Sequence, residues 1–232
     1  MNCIKYNTSS PSNYIHFLEN EIVDISNNKI INCLVLEQNV ELEDTNILFR
    51  KYGIKTVKKY PNSLGISKSK IFKINNKYFL KLYTFKNKRD PIYKEILIYL
   101  HIKRLINIWK RTYNNIYYGI MDTYLSIKFT NIDEKYYGII THDINGKMLS
   151  SELINSLDTK QQKLIYFQII YSLYILNIKF KIIHFDVGFH NIIIKKNTTS
   201  IFKSFVIEGI VYEKELEYDL RIFDFDHGIF LI

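Results

Sequence analysis

The amino-acid sequence predicts an α+β protein in which most strands precede the most apolar helix. Two observations predict this order: two strand-like runs joined by Asn75-Asn76, and a later apolar stretch, residues 160 to about 178, that has the length of a helix. Composition is the third: 47% apolar and 24% charged residues over 232 positions suit a folded chain with a substantial core. Together they predict two lobes, the first rich in strands and the second mainly helical.

The first half of the chain becomes readable only after residue 58. Before it, we expect a short amphipathic helix over residues 14–23 and a strand over residues 30–36, with no chemical motif. After it, strands are predicted over residues 69–74, 77–84, 122–130 and 135–141. Asn75-Asn76 favours a tight hairpin turn between the first two of these strands.

Two helices are predicted from residues typical of helix N-termini and from the spacing of apolar residues. Asp90-Pro91 pairs an N-cap residue with proline at the first helical position, which predicts a helix over residues 91 to about 108. Asp158-Thr159 predicts the start of the long helix over residues 160 to about 178. That helix is apolar nearly all round, so we expect it to be buried at the centre of a lobe.

The remaining segments are shorter. Residues 143–146 are predicted to form a turn, residues 192–195 a strand, and residues 205–212 and 216–223 a hairpin that turns near Glu208-Gly209.

The strongest chemical motif is the segment from His184 to Asn191, which reads His-Phe-Asp-Val-Gly-Phe-His-Asn. Its H-x-D-x-x-x-x-N form resembles the catalytic loop of protein kinases. In that loop a carboxylate, here Asp186, accepts or orients the proton of a substrate hydroxyl. An amide oxygen five positions later, here on Asn191, holds a metal ion on the phosphates. A buried histidine that only supports the core is the simpler reading of His184.

Two further segments carry residues of the same chemistry. Asp224 follows an apolar run and precedes Phe225, which resembles the metal-binding Asp-Phe-Gly segment of kinases, with Asp226 in place of glycine. Lys81 lies between apolar neighbours on a predicted strand, in the place of the kinase lysine that contacts the nucleotide phosphates. Glu95, 14 residues later on a predicted helix, is its natural ion-pair partner. Taken alone, the Asp224 segment would be interpreted as a polar turn and Lys81 as a solvated lysine on a strand.

The order of these segments resembles the protein-kinase superfamily over about residues 63–232, most closely the haspin-related kinases and the kinases of large DNA viruses. The resemblance implies a two-lobed protein-kinase-like fold with a β-rich N-lobe and a shortened, mainly helical C-lobe. It divides the chain into an N-terminal extension of unclear role, residues 1–58, an N-lobe and hinge, residues 59–144, and a truncated C-lobe, residues 145–232.

The resemblance also implies where ATP and Mg²⁺ bind. Gly65 and Ser67 occupy the place of the glycine-rich loop that covers the phosphates, although a plain strand and turn explains them equally well. Thr141 falls at the gatekeeper position. His142 and Ile144 belong to the hinge segment that meets adenine.

Several residues depart from the kinase pattern. Phe185 replaces an arginine, Gly188 stands where a lysine steadies the transferred phosphate, and Phe79 replaces a small residue against adenine. Eight residues follow Asp224, so the segments that form a peptide platform in kinases are missing from this sequence. We therefore expect the extension, a partner subunit or self-association to cover the apolar helix around residues 166–176.

Three functions fit these features. The first is an ATP-dependent protein kinase that transfers the γ-phosphoryl group to a protein hydroxyl, of the Ser/Thr class. The second is a pseudokinase that binds a nucleotide or a partner without useful turnover. The third is a small-molecule kinase of the aminoglycoside or choline type.

Charge and cysteine content bear on partners and location. The formal net charge is +9, but the lysines are scattered, so a solvated basic surface is a better reading than nucleic-acid binding. Cys3 and Cys33 cannot form a disulfide framework and favour a reducing compartment. No signal peptide or membrane span is apparent. We expect a cytoplasmic or nuclear protein that acts on a protein substrate, within a host cell or virion if the chain is viral.

Overall fold

The computed structural model describes residues 11–25, 40–41, 47–60, 69–85, 87–88, 91–130 and 135–231. The chain divides into two compact units. The first, here called the sheet unit, comprises Glu19–Ile96 and Asp122–Ile144. The second, here called the hairpin unit, comprises Met1–Leu18, Leu97–Met121 and Asn145–Ile232. The mixture of helices and strands confirms the predicted α+β class.

The sheet unit contains a seven-stranded sheet among its described residues. Its strands are β1 (Val23–Asp24), β2 (Val40–Glu41), β3 (Thr56–Lys59), β4 (Lys70–Ile74), β5 (Tyr78–Phe85), β6 (Thr123–Thr130) and β7 (Lys135–His142). They lie in the order β1-β6-β7-β5-β4-β3-β2. Only the β1–β6 pair is parallel. This unit also holds a short helix, α2 (Ile47–Tyr52).

The hairpin of β4 and β5 confirms the predicted strands and turn. Asn75 and Asn76 have φ values of 50° and 56°, the left-handed conformation that asparagine tolerates better than most residues. Alternate residues of the two strands, among them Phe72, Leu80 and Leu82, are buried in the core of the unit. Period-two alternation therefore leaves Lys81 on the opposite face of the sheet.

The predicted helix after Pro91 is present as α3 (Pro91–Thr112) and contributes residues to both units. It ends four residues beyond the prediction. Trp109 explains part of the extension, because its ring is buried and packs edge-on against Phe180 at 5.8 Å between centroids. The predicted N-cap, Asp90, lies outside the described residues, as do the predicted strand over residues 30–36 and both cysteines.

The hairpin unit contains helices and two small sheets. Its helices are α1 (Pro11–Glu19), most of which lies in this unit, α4 (Ser151–Asn155), α5 (Thr159–Tyr174), a π-helical turn (Ile175–Lys179) and a 3₁₀ turn (Phe189–Asn191). Its strands are β8 (Lys147–Met148), β9 (Ile182–Ile183), β10 (Ile192–Ile207), β11 (Ile210–Ile222) and β12 (Ile229–Phe230). The helix α1 confirms the one predicted over residues 14–23, with earlier limits.

The start of α5 confirms the predicted helix, but its burial does not match the prediction. Asp158 and Gln161 form a reciprocal capping box at its first turn. Ile165 and Tyr171 are buried, whereas Tyr166 and Ile170 are 46% and 66% exposed. The expectation of a helix buried at the centre of a lobe is therefore wrong for this chain, since one apolar face of α5 remains exposed among the described residues.

The long hairpin of β10 and β11 corrects two predictions. The predicted turn is present, with Glu208 and Gly209 at φ values of 50° and 89°. However, the separate strand and short hairpin are one ladder, interrupted by a register shift between Lys196 and Ile201. The polar segment that crosses this shift contains two β-branched threonines and continues the strand. The prediction that residues 145–232 are mainly helical is also wrong, because strand residues outnumber helical ones there.

In the described part of the chain, none of the helices has both the length and the apolar character needed to span a bilayer.

Candidate functional site

Lys81 and Glu95 form an ion pair within the sheet unit, as predicted. Lys81 Nζ donates a hydrogen bond to Glu95 Oε1 at 3.3 Å. The Glu95 side chain is fully buried, whereas that of Lys81 is 25% exposed. A buried carboxylate needs hydrogen-bond donors, so the pair fixes the direction of the Lys81 amine while leaving part of it accessible.

Tyr83 is a residue of the candidate site that the sequence analysis missed. Its hydroxyl donates to Glu95 Oε2 at 2.6 Å, and its ring lies 5.1 Å from Lys81 Nζ. The signal was present in the sequence, because Tyr83 follows Lys81 by two positions and therefore shares its strand face. Glu95 thus receives a donor on each carboxylate oxygen.

Thr141, the predicted gatekeeper, lies on the same sheet face as Lys81. The register of β5 and β7 pairs Phe79 with Thr141 and Lys81 with Ile139, so these four side chains share the face opposite the cluster that contains Leu80 and Ile140. Phe79 packs edge-on against Tyr60 at 5.2 Å and lies 4.0 Å from Lys73 Nζ. An aromatic ring therefore stands beside Thr141 on this face.

The predicted hinge residues differ in how their backbone groups are used. His142 N–H donates to Asp122 O at 3.0 Å, and the imidazole packs against Tyr78 at 4.9 Å. Ile144 N–H and C=O make no hydrogen bond to any residue that the structure describes. Between them, Asp143 forms an ion pair with Lys73, whose pKa is lowered by desolvation. Ile144 is therefore the hinge residue with backbone groups available for a ligand.

The predicted phosphate-loop residues, Gly65 and Ser67, lie outside the described residues.

In the hairpin unit, the segment from His184 to Asn191 forms a compact loop between β9 and β10. Asn191 Nδ2 donates to the Asp186 carbonyl at 2.8 Å and to Asp186 Oδ2 at 3.0 Å. Asn191 is 3% exposed, whereas the Asp186 side chain is 44% exposed. No described residue donates to Asn191 Oδ1. The amide therefore orients the carboxylate and keeps its own oxygen available for a cation.

Asp224 is brought to the same end of the long hairpin. Ile192 pairs with Ile222 at the start of the ladder, and Phe223 N–H donates to Asn191 O at 3.0 Å. Asp224 has a φ value of 64°, and its N–H donates to the Tyr99 hydroxyl at 3.0 Å. Antiparallel pairing therefore juxtaposes Asn191 and Asp224, which are far apart in sequence.

His184 has the structural role expected of it. It is buried, its Nε2 donates to Phe223 O at 2.9 Å, and its ring lies 4.7 Å from that of Phe225. A carbonyl can only accept, so Nε2 carries the hydrogen. Phe225 is fully buried and meets Tyr99 edge-on at 5.1 Å. This packing fixes the chain on both sides of Asp224.

His190 was also missed. Its Nε2 lies 3.4 Å from Asp186 Oδ2, and its ring occupies the space where a side chain at Gly188 would begin. The spacing of four positions from Asp186 was visible in the sequence, but the fold of the loop was not. The absence of a side chain at Gly188 makes room for the imidazole beside the carboxylate.

The arrangement offers the ligands that Mg²⁺ prefers in nucleotide sites. Among the described residues, no group of three or more His, Cys, Asp and Glu side chains could hold a metal ion. Mg²⁺ is usually bound by only one or two protein carboxylates, with phosphate oxygens and water completing the shell. Asp224 and Asn191 Oδ1 fit that pattern. Of the predicted residues, Asp186, Asn191 and Asp224 lie in the hairpin unit, and Lys81, Glu95, Thr141, His142 and Ile144 lie in the sheet unit.

Neither the models of known protein families nor the curated proteins contain a match to this chain.

Proposed function

We propose that this chain is an ATP-dependent protein kinase that transfers the γ-phosphoryl group of Mg-ATP to a protein hydroxyl, of the Ser/Thr class. One observation carries the proposal: an exposed carboxylate, Asp186, is hydrogen-bonded to Asn191, and the long hairpin brings Asp224 beside Asn191. A proton acceptor next to two oxygen ligands for Mg²⁺ is the arrangement that phosphoryl transfer requires.

In this proposal each predicted residue has one role with Mg-ATP. Lys81 contacts the phosphates and Glu95 orients Lys81, with Tyr83 holding the second oxygen of Glu95. Asn191 and Asp224 would hold Mg²⁺, which would neutralise charge on the transferred phosphoryl group.

The adenine and the remaining phosphate contacts complete the proposed site. Thr141 borders the adenine, and the hinge segment of His142 and Ile144 meets it through the backbone. The strongest support is the amide of Ile144, which makes no hydrogen bond to any described residue. Gly65 and Ser67 are proposed to cover the phosphates through their backbone amides.

Asp186 is suited to receive a proton because its carboxylate is positioned yet accessible. The two bonds from Asn191 fix its orientation, and the 44% exposure of its side chain leaves room for a substrate hydroxyl. The hydroxyl attacks the γ-phosphorus in line with the departing ADP oxygen, and its proton passes to Asp186.

A pseudokinase is the second candidate, and Gly188 is the observation that favours it. No side chain at this position can steady the transferred phosphate, and the space is taken by His190. Such a protein would bind Mg-ATP through Lys81 and Asp224 without useful turnover.

A phosphorylation assay on the purified chain tests the proposal. With labelled Mg-ATP and a generic Ser/Thr protein substrate, Asp186→Asn should lower the turnover at least about a hundredfold, the usual contribution of general acid–base catalysis. Nucleotide affinity should change little. Asp24→Asn is the matched control, since this carboxylate belongs to a surface ion pair with Lys128.

The other outcomes separate the alternatives. Tight Mg-ATP binding with no phosphate transfer in the wild type would favour the pseudokinase. Transfer to an amino alcohol or aminoglycoside, but not to protein, would favour a small-molecule kinase. Equal turnover in wild type and Asp186→Asn would rule out the proposed base.

Partners and location are also proposed. The exposed residues Tyr166 and Ile170 on α5 support a partner subunit or a second copy that covers this face. A protein substrate and a cytoplasmic or nuclear location accompany the kinase assignment.

A further inference from the structure

A small cationic cavity lies in the hairpin unit, formed by the end of α3, the segment after it and the long hairpin. Its volume is about 220 Å³. The residues that define its chemistry are Lys110, Tyr113, Asn115, Tyr118, Lys203 and Arg221. None of them belongs to the proposed nucleotide site.

One wall of the cavity is held in place by hydrogen bonds between the segment after α3 and strand β10. Asn115 has a φ value of 53°, and its carbonyl accepts from Ser204 N–H at 3.1 Å. Its side-chain Nδ2 donates to Phe202 O, and Tyr117 N–H donates to Ser204 O at 2.8 Å. Bonds on both sides of Asn115 hold this wall in one position.

Arg221 presents unused donors at the cavity. Its Nη1 donates to Asp219 Oδ1 at 2.5 Å and to Leu220 O at 2.8 Å. No described residue accepts from its Nε or Nη2. The side chain is only 13% exposed, so those donors would be costly to leave without an acceptor. The rings of Tyr117 and Tyr118 lie 5.6 and 5.2 Å from the guanidinium carbon.

The other two cations are close enough to affect each other. Lys203 Nζ donates to Asn115 Oδ1 at 2.9 Å. Desolvation lowers the pKa of Lys203, and the charges of Arg221 and Lys110 lower it further, against the opposing effect of Asp219. The cavity lining contains no carboxylate. An anion in the cavity would relieve this repulsion between like charges.

We propose that this cavity binds a phosphate group, as inorganic phosphate or as the terminal group of a small phosphate monoester. One guanidinium and two ammonium side chains line one concave space, and arginine is suited to bind phosphate through two parallel hydrogen bonds. The volume accommodates a group of a few non-hydrogen atoms, since a water molecule takes about 30 Å³ of liquid.

Nucleic acid is a less suitable ligand for these residues. Backbone binding to a polynucleotide uses an extended basic surface that tracks successive phosphates, whereas here the three cations border one small cavity. The site is therefore assigned to a single phosphate group.

Calorimetric titration of the full chain with sodium phosphate, at constant ionic strength, tests the proposal. We expect saturable binding of one phosphate, weakened about tenfold by Lys203→Gln and by Lys110→Gln, the loss expected when one charge-assisted hydrogen bond is removed. Lys196→Gln is the matched control, because it removes an exposed lysine from the same strand β10 and should leave the affinity unchanged. Glycerol 3-phosphate in place of inorganic phosphate distinguishes the two sources, and the tighter ligand identifies the form that the cavity prefers.

Three results would overturn the assignment. The first is an equal loss in the Lys196 control, which would indicate non-specific attraction. The second is binding that Lys81→Met abolishes while Lys203→Gln leaves it intact, which would place the phosphate in the proposed ATP site. The third is salt-sensitive binding of a single-stranded oligonucleotide without saturable phosphate binding. Arg221→Lys retains the positive charge that faces Asp219 but removes the guanidinium group. If Arg221 binds phosphate through two parallel hydrogen bonds, this variant should weaken phosphate binding at least as much as Lys203→Gln does.

Discussion

At the residue scale, the central feature of the sheet unit is a fully buried carboxylate with two donors. Glu95 accepts from Lys81 on one oxygen and from Tyr83 on the other. The energetic cost of burying a charge is high unless its hydrogen bonds are complete. Tyr83 therefore contributes to the proposed site by stabilising the residue that orients Lys81.

Replacing the Tyr83 hydroxyl should reveal this contribution. Tyr83→Phe removes a bond to a buried charge, so we expect the free energy of unfolding to fall by about 1.5–3 kcal/mol. Tyr124→Phe is the matched control, since its hydroxyl donates at 2.6 Å to the neutral carbonyl of Tyr52. The control should lose only about 1 kcal/mol. Urea unfolding measures both variants, and a larger loss in the control would contradict this account of Glu95.

At the element scale, His101 joins three parts of the hairpin unit. It lies on α3, accepts from the Tyr14 hydroxyl of α1 at its Nδ1 at 2.6 Å, and donates from Nε2 to Phe180 O at 2.8 Å. Both contacts suit a neutral imidazole. The pKa of His101 is lowered to about 4, mainly by desolvation and to a smaller extent by the charge of Arg104, against the opposing effect of the Phe180 carbonyl.

This histidine should make stability depend on pH. Its folded-state pKa lies below the ordinary value of 6.5, so the unfolded chain binds the proton first as the pH falls. The contribution is fully present above pH 6.5 and is lost between pH 6.5 and 4. Between pH 7 and pH 5, the loss from this group is about 2 kcal/mol.

Urea unfolding of the wild type and His101→Gln at the two pH values measures the contribution of His101. Between pH 7 and pH 5, the free energy of unfolding should fall by about 2 kcal/mol less in the variant than in the wild type. His227→Gln, which changes an exposed imidazole, should behave as the wild type does. A parallel loss in wild type and His101→Gln would show that another group is responsible.

Two glycines with the same φ value allow the cost of backbone strain to be compared with the cost of steric overlap. Gly53, which follows α2, and Gly119 both have a φ value of 63°. A Cβ at Gly53 would meet nothing within 4 Å, whereas at Gly119 it would overlap Ser172 and come within 2.9 Å of the Tyr117 ring.

Gly53→Ala should therefore cost about 1–2 kcal/mol, from the left-handed conformation alone. Gly119→Ala should cost roughly 1–3 kcal/mol more, the usual penalty of overpacking. Thermal unfolding of both variants measures the difference. Equal losses would mean that the surroundings of Gly119 yield without cost.

At the scale of the whole molecule, the proposed function makes stability depend on a bound ligand. A ligand that binds only the folded chain raises its stability, by about 2.7 kcal/mol at a concentration a hundred times its Kd. Mg-ATP should therefore raise the unfolding temperature of the wild type.

The dependence of this temperature shift on Mg²⁺ tests whether Asp224 is a metal ligand. Removal of Mg²⁺ with EDTA, or Asp224→Asn, should reduce the shift, because the proposed metal contact is then lost. Differential scanning fluorimetry with Asp24→Asn as a control measures this. An undiminished shift in both conditions would argue against Asp224 as a metal ligand.

Much of the local structure could be predicted because its causes are local. The Asn75-Asn76 turn and the Asp158 cap depend on residues within a few positions of each other. The limits of β10 and β11 were predicted wrongly, and so was the burial of α5 on all its faces. Ladder length and burial depend on partners distant in sequence, which apolar periodicity does not identify.

By itself, the sequence determined the α+β class, the main hairpin turns and the identity of the residues that suggest phosphoryl transfer. Only the tertiary structure decided that Tyr83 supports Glu95, that Asn191 pairs with Phe223 beside Asp224, and that Lys110, Lys203 and Arg221 border one cavity. The physical reason is that these contacts join segments far apart in the chain. Their register is fixed by strand pairing and core packing, not by the spacing of residue types along the sequence.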